Sequence, residues 1–186
     1  MNTKFKRVFA VSLIFFLFSF STAFAYLLKP YGWPKTSGQT YTVKVKYSTS
    51  DANYKTAWST AVNDWNNKQS KIRFDLSELY TSSANSVGTM INSDTSIYGE
   101  TTNTLTSDSS QITSFVARLN TANSEIAGNA TVRRSTSNHE LGHALALADN
   151  NVSVIFLAIM NQLRDRTTTY TPQTDDVNGV NAKYPF

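Results

Sequence analysis

Cysteine is absent from the 186 residues, so no disulfide can staple the fold and no thiolate can hold a metal. Histidine is nearly absent too: there are two, His139 and His143, four positions apart. Charged residues make up only 16% of the chain, and the formal charge of +4 suggests a basic protein until its distribution is examined. Lys4, Lys6 and Arg7 sit at the extreme N-terminus, and the remaining basic residues balance the 13 acidic ones to within one charge. Beyond that segment there is no basic surplus to bind nucleic acid. No internal repeat appears, and Ser and Thr are spread through strand-like and loop-like stretches alike, which reads as surface composition and not as a disordered linker.

The three early cations precede an apolar stretch from Val8 to Phe20, and Ala23-Phe24-Ala25 follows with small residues where a signal peptidase reads them. Residues 1–25 are therefore expected to be a secretory signal, and residues 26–186 a single domain long enough for a sizeable core. An uncleaved anchor is the alternative, since weak apolar character continues to Leu28.

Pattern divides the rest. Lys29 to Gln39 holds Pro30, Gly32, Pro34 and Gly38 and reads as an irregular lead-in. Tyr41, Val43, Val45 and Tyr47 alternate with polar residues as a half-buried strand, and Ile72, Phe74 and Leu76 do the same. Between them the period lengthens: Tyr54, Ala57, Trp58, Ala61, Val62 and Trp65 form one helical stripe, capped by Ser50 or Asp51. Aromatics at this spacing are core residues before they are ligand-site residues. Shorter strands are expected at Val87–Ile91 and Ile97–Thr102, a firmer one at Ile112–Leu119, and a helix opening between Gly128 and Thr131.

That helix carries His139-Glu140-Leu141-Gly142-His143. Positions i and i+4 lie about 40° apart around a helix axis, so both imidazoles can reach one metal ion, and zinc is the leading choice. Glu140 then stands beside the ion as a general base. A catalytic zinc takes three protein ligands, and the downstream carboxylates are Asp149, Asp165, Asp175 and Asp176. Asp149, six residues past His143, leaves room for the chain to turn and return, and is the best placed of the four.

The run HELGHALALAD resembles the elongated zinc motif of the metzincin metallopeptidases, its Asp ending resembling that of the snapalysin group within a matrixin-like chain. The resemblance implies a zinc-dependent endopeptidase with one Zn2+ held by His139, His143 and Asp149, Glu140 as catalytic base, and a protein or peptide substrate. It implies an α+β fold in which a twisted mixed sheet packs on the active-site helix, with a second helix in the N-terminal half and another at the C-terminus. It also implies a turn bearing Met160, at the end of the apolar run Val152 to Met160, beneath the metal. The stretch from Tyr170 to Val180 resembles the start of the C-terminal helix of matrixin domains; Thr171 as cap, Pro172 in first position and Asp175 and Asp176 in the first turn suit a helix start on their own terms. Substrate in metzincins lies along an edge strand, for which Ser96, Ile97, Tyr98, Gly99, Glu100, Thr101 and Thr102 are the candidates.

One position departs from the family pattern. Ala146 stands where the family has the Gly of the turn that ends the helix, and an L-residue at positive φ costs roughly 1–2 kcal/mol, so glycine there is expected to add on the order of 1 kcal/mol of stability. The departure keeps open a secreted binding protein on a decayed metzincin-like scaffold; a purely structural zinc site would need a fourth protein ligand, which a chain without Cys lacks. Lack of Cys also excludes the cysteine-switch latency of many matrixins. No Asp spacing matches an EF-hand, so no structural calcium site is assigned. No lasting membrane association is expected once the signal is removed, and a monomer is the simplest state. Sequencing the first residues of extracellular protein should return Tyr26; recovery of residues 1–25 would mean an anchor instead.

Overall fold

The lengthening of the apolar period at Asp51 becomes the first structural boundary. In the computed structural model, which describes residues 26–34, 38–151 and 157–185, strand β2 (Tyr41–Ser48) leads into helix α1 (Ala52–Lys68). The Asp51 side chain accepts from Asn53 N at 2.8 Å and so satisfies one of the helix's free amides. The charged start, Val8–Phe20 and Ala23–Ala25 lie outside the described residues, as do residues 35–37 of the lead-in and Val152 to Phe156 of the apolar run.

A five-stranded mixed sheet has the order β3-β2-β4-β6-β5, built from β3 (Ile72–Leu76), β4 (Ser86–Met90), β5 (Gly99–Leu105) and β6 (Ile112–Asn120) around β2. Neighbours run parallel except β5, which pairs antiparallel with β6 and forms an edge. Val43, Val45, Ile72, Phe74, Val87, Phe115, Ala117 and Leu119 point from the sheet into the core, as strict alternation requires. The whole predicted stripe of α1, Tyr54 to Trp65, is buried. Trp58 and Trp65 are fully covered, which is worth about 5 kcal/mol each by area. Each indole also has a polar partner: Trp58 Nε1 donates to Gly88 O at 3.0 Å, and Trp65 Nε1 donates to Asn138 O at 2.9 Å. The second of these ties α1 to the metal-motif helix. Arg134 adds a bidentate pair with Asp64, to which Asn138 Nδ2 also donates.

A short helix, α2 (Ser124–Gly128), precedes α3 (Ala130–Ala144), which is capped by Asn129. The final helix, α4 (Thr174–Lys183), closes the chain. Among the described residues no helix is long and apolar enough to cross a membrane. The architecture agrees with the α+β expectation, and three details differ from it. The strand expected at Ile97 starts at Gly99: Ile97 O is taken by the Asn120 side chain, and Tyr98 O, which accepts from Asn120 N of β6, stands just before the regular ladder. The last helix is capped by Gln173 and not by Thr171, because Gln173 N donates to Asp176 Oδ2 at 2.8 Å one turn ahead. A small second sheet, β1 (Leu27–Leu28) against β7 (Leu147–Ala148), has no sequence signature.

Helix α3 ends as the family pattern demands despite the missing glycine: Ala146 adopts φ 65 and throws the chain back into β7. The carbonyls exposed by this ending are all satisfied. Asn103 Nδ2 donates to His143 O, Trp33 Nε1 to Ala144 O, the Tyr184 hydroxyl to Leu145 O and Lys29 N to Ala146 O, at 2.8–3.2 Å. Ala146 is also completely buried, which changes the expected value of a glycine there. Relief of the left-handed strain is offset by loss of a buried methyl worth about 0.8 kcal/mol. Ala146→Gly should therefore shift the urea midpoint by the equivalent of less than about 1 kcal/mol, whereas Ala146→Val, β-branched at positive φ, should cost more than about 2 kcal/mol. A well-tolerated valine would show that the turn is not held left-handed in solution.

Candidate metal centre

His139 and His143 project from the last turns of α3, and Asp149 returns to them directly after β7. His139 Nε2 lies 3.1 Å and His143 Nε2 3.4 Å from Asp149 Oδ1. The ligand atoms of the three residues all fall within 4.8 Å of one another. Ligands about 2.0–2.1 Å from a tetrahedral zinc stand roughly 3.3 Å apart, which the two imidazole–carboxylate distances match. Asp165 is not in this group, nor are Asp175 and Asp176.

The hydrogen bonds decide which nitrogen each ring offers. His139 Nδ1 faces Ile159 O at 2.9 Å and His143 Nδ1 faces Leu147 O at 3.0 Å; a carbonyl only accepts, so each Nδ1 carries the proton. The Nε2 lone pairs then point at a carboxylate oxygen that is itself buried and has no hydrogen-bond donor. Three electron-pair donors converge with no proton between them, an arrangement that a cation resolves. Burial drives the His139 ring toward its neutral form. At His143 burial pulls the same way, but the adjacent Asp149 carboxylate outweighs it and raises the ring's proton affinity. For Asp149 burial favours the neutral acid, and the two imidazoles overcome it, holding the carboxyl well below the usual range.

Glu140 sits in the same helical turn, almost wholly buried. The Thr101 hydroxyl on edge strand β5 lies 2.7 Å from Glu140 Oε2 and 3.0 Å from Glu140 O, and its one proton can serve either acceptor. Oε1 is on the side of Gly99, where a Cβ would stand only 2.8 Å from it, so a residue larger than glycine at 99 would displace the carboxylate. Gly142 is required just as tightly: a Cβ there would come within 2.2 Å of Met160 Sδ. Met160 thus packs directly against the helix between the two histidines. A cleft of about 290 Å³ joins these groups, lined by Gly99, Thr101, His139, Glu140, His143 and Asp149 among others. Of the proposed edge residues, Gly99 to Thr102 lie on β5, while Ser96, Ile97 and Tyr98 form the loop that precedes it.

Three supports were not legible beforehand. Asp176, assigned to the helix dipole, is instead buried and accepts from Ile159 N, Met160 N and Gln173 N at 2.7, 3.1 and 2.8 Å. Burial pushes its carboxyl up to about 6, still ionised at neutral pH. Arg164 is buried beside His139; it donates to the Ser135 hydroxyl and to Asn161 O, and burial lowers its guanidinium to about 9. Its approach to His139 Nδ1 at 3.3 Å joins two donors, so the bond from Nδ1 to Ile159 O prevails. Thr101 is the third. The repeated acids at 175–176 were the single available signal for any of them.

The sequence matches no protein-family model and no curated protein. Solved structures do match. Myroilysin aligns with 83% of this chain and 82% of its own at TM-score 0.53 and 12% identity. High choriolytic enzyme 1, a hatching enzyme zinc-protease from the medaka fish Oryzias latipes, aligns with 82% of this chain and 94% of its own at TM-score 0.47 and 15% identity. At 12% identity the match to myroilysin shows likeness of fold alone.

Asp176→Ala should remove a shared acceptor from three backbone amides and lower stability by on the order of 3 kcal/mol, seen as a fall in urea midpoint without change of slope. A negligible shift would mean that water replaces the carboxylate and that the Met160 turn stands unaided.

Proposed function

We propose that the chain is a secreted zinc-dependent endopeptidase in which His139, His143 and Asp149 hold the ion and Glu140 is the general base. One observation carries the reading: two Nε2 lone pairs and an undonated carboxylate oxygen converge beside a buried glutamate at the foot of a sheet edge. Bound there, zinc would supply Lewis-acid activation of water and of the scissile carbonyl. The remaining steps belong to the protein. Thr101 holds Glu140 by its Oε2 edge at 2.7 Å, leaving Oε1, on the Gly99 side, to take a proton from the attacking water and deliver it to the leaving amine. Strand β5, paired on one side only, offers backbone groups to an extended peptide. Its residues Gly99 and Thr101 are the ones that touch Glu140, so a peptide laid along this edge passes the catalytic carboxylate.

The reading of a decayed scaffold rested on Ala146. That residue takes the left-handed turn and still delivers Asp149 to the imidazoles, which favours the peptidase. The expected behaviour of two variants distinguishes the roles. Glu140→Ala should retain zinc by metal analysis and lose several orders of magnitude in peptide hydrolysis. Asp149→Ala should lose zinc on dialysis against a weak chelator and be inactive for that reason. Undiminished hydrolysis by Glu140→Ala would remove Glu140 from the mechanism, and full zinc retention by Asp149→Ala would move the third ligand elsewhere.

A further inference from the structure

Beside His139 and Glu140, a second cavity of about 390 Å³ opens between the loop before β5 and the segment after Met160. It shares Gly99, His139, Glu140 and Gln162 with the catalytic cleft, so a side chain next to the reacting bond would enter it. Its walls carry two guanidinium groups, Arg164 and Arg166, against the single carboxylate of Glu140 at the mouth. No ion pair among the described residues involves either arginine.

Both are held in place by contacts other than a counter-charge. Arg164 is fixed by Ser135 and Asn161 O. Arg166 lies over the Tyr98 ring at 3.9 Å, and its Nε is buried without a hydrogen-bond acceptor. Thr136 adds a buried hydroxyl in the same wall, also without a partner. Tyr98 is anchored in turn, since its carbonyl accepts from Asn120 N at 2.9 Å. The cavity therefore presents two fixed cations and an unmatched hydroxyl to whatever enters, against one carboxylate, Glu140, that could partner a lysine or arginine of the substrate. An apolar side chain would leave Arg166 Nε and the Thr136 hydroxyl unpaired, at a cost that a carboxylate avoids.

Resting on the peptidase reading above, we propose that this cavity receives an acidic side chain, Asp or Glu, from the substrate residue beside the cleaved bond, with Arg166 as the specificity-determining residue. Backbone capture by β5 would set register, and the cavity would select the residue.

The test has two arms. Purified zinc-loaded protein is given a mixed peptide library and its cut sites are read by mass spectrometry. Asp and Glu should be enriched at one position flanking the cut by roughly tenfold or more over Gln and Leu, and Arg166→Glu should transfer the preference to Lys. Arg166→Gln, which removes the charge and keeps a polar stem, should abolish the enrichment and serves if the reversed charge unfolds the loop. In the second arm, the Glu140→Ala protein is titrated with labelled peptides carrying Glu, Gln or Lys at one central position, read by fluorescence anisotropy. Tighter binding of the Glu peptide by about tenfold, lost in the Glu140→Ala, Arg166→Gln double variant, is expected. Cleavage or binding indifferent to the acid overturns the selectivity and leaves the peptidase standing. Selective binding without any cleavage by the parent protein overturns the peptidase and leaves the acidic pocket standing.

Discussion

Two backbone carbonyls decide which nitrogen each imidazole offers, and much of the molecule serves to place them. Leu147 O and Ile159 O each take an Nδ1 proton, turning both Nε2 lone pairs toward Asp149. Leu147 O is where it is because Ala146 reverses the chain at positive φ. Ile159 O is where it is because Asp176 grips the amides of Ile159 and Met160 from α4. A ring free to present either nitrogen would lose orientational order on binding a metal, and here that order is already present.

The strained residue is sustained by its surroundings. A left-handed alanine costs about as much as one good hydrogen bond contributes, and Trp33, Asn103, Tyr184 and Lys29 together satisfy four consecutive carbonyls from His143 to Ala146. Those residues come from the N-terminal lead-in, the edge strand and the C-terminal end. The turn is thus specified from three remote parts of the chain, and glycine is not required for it to form.

What could be read in the sequence was periodic or local. The α1 stripe from Tyr54 to Trp65, the alternation at Val43 and Val45, and the i, i+4 histidines each state their geometry within one or two turns or a few strand residues. Asp149 followed from elimination and distance. The supports did not, because they are meetings between distant segments: Thr101 with Glu140, Gly142 with Met160, Asp176 with Ile159. A serine- and threonine-rich stretch gives no sign that one of its hydroxyls will hold the Glu140 carboxylate. The two-residue strands β1 and β7 are too short to carry a pattern, yet their pairing sets the backbone immediately before the third ligand.

That pairing has a consequence for the order of events during synthesis. Leu28 lies against Leu147, and both β1 and β7 rest against α4, where a Cβ on Gly179 would touch Leu147 and Tyr26. The last ligand is therefore framed by residues from the first and final stretches of the described chain. A nascent polypeptide from which α4 has yet to emerge can form α1 and much of the sheet, but it lacks both Asp176 under Met160 and the helix against β7. The frame of the pocket therefore rests on long-range contacts, whose loop-closure cost is high.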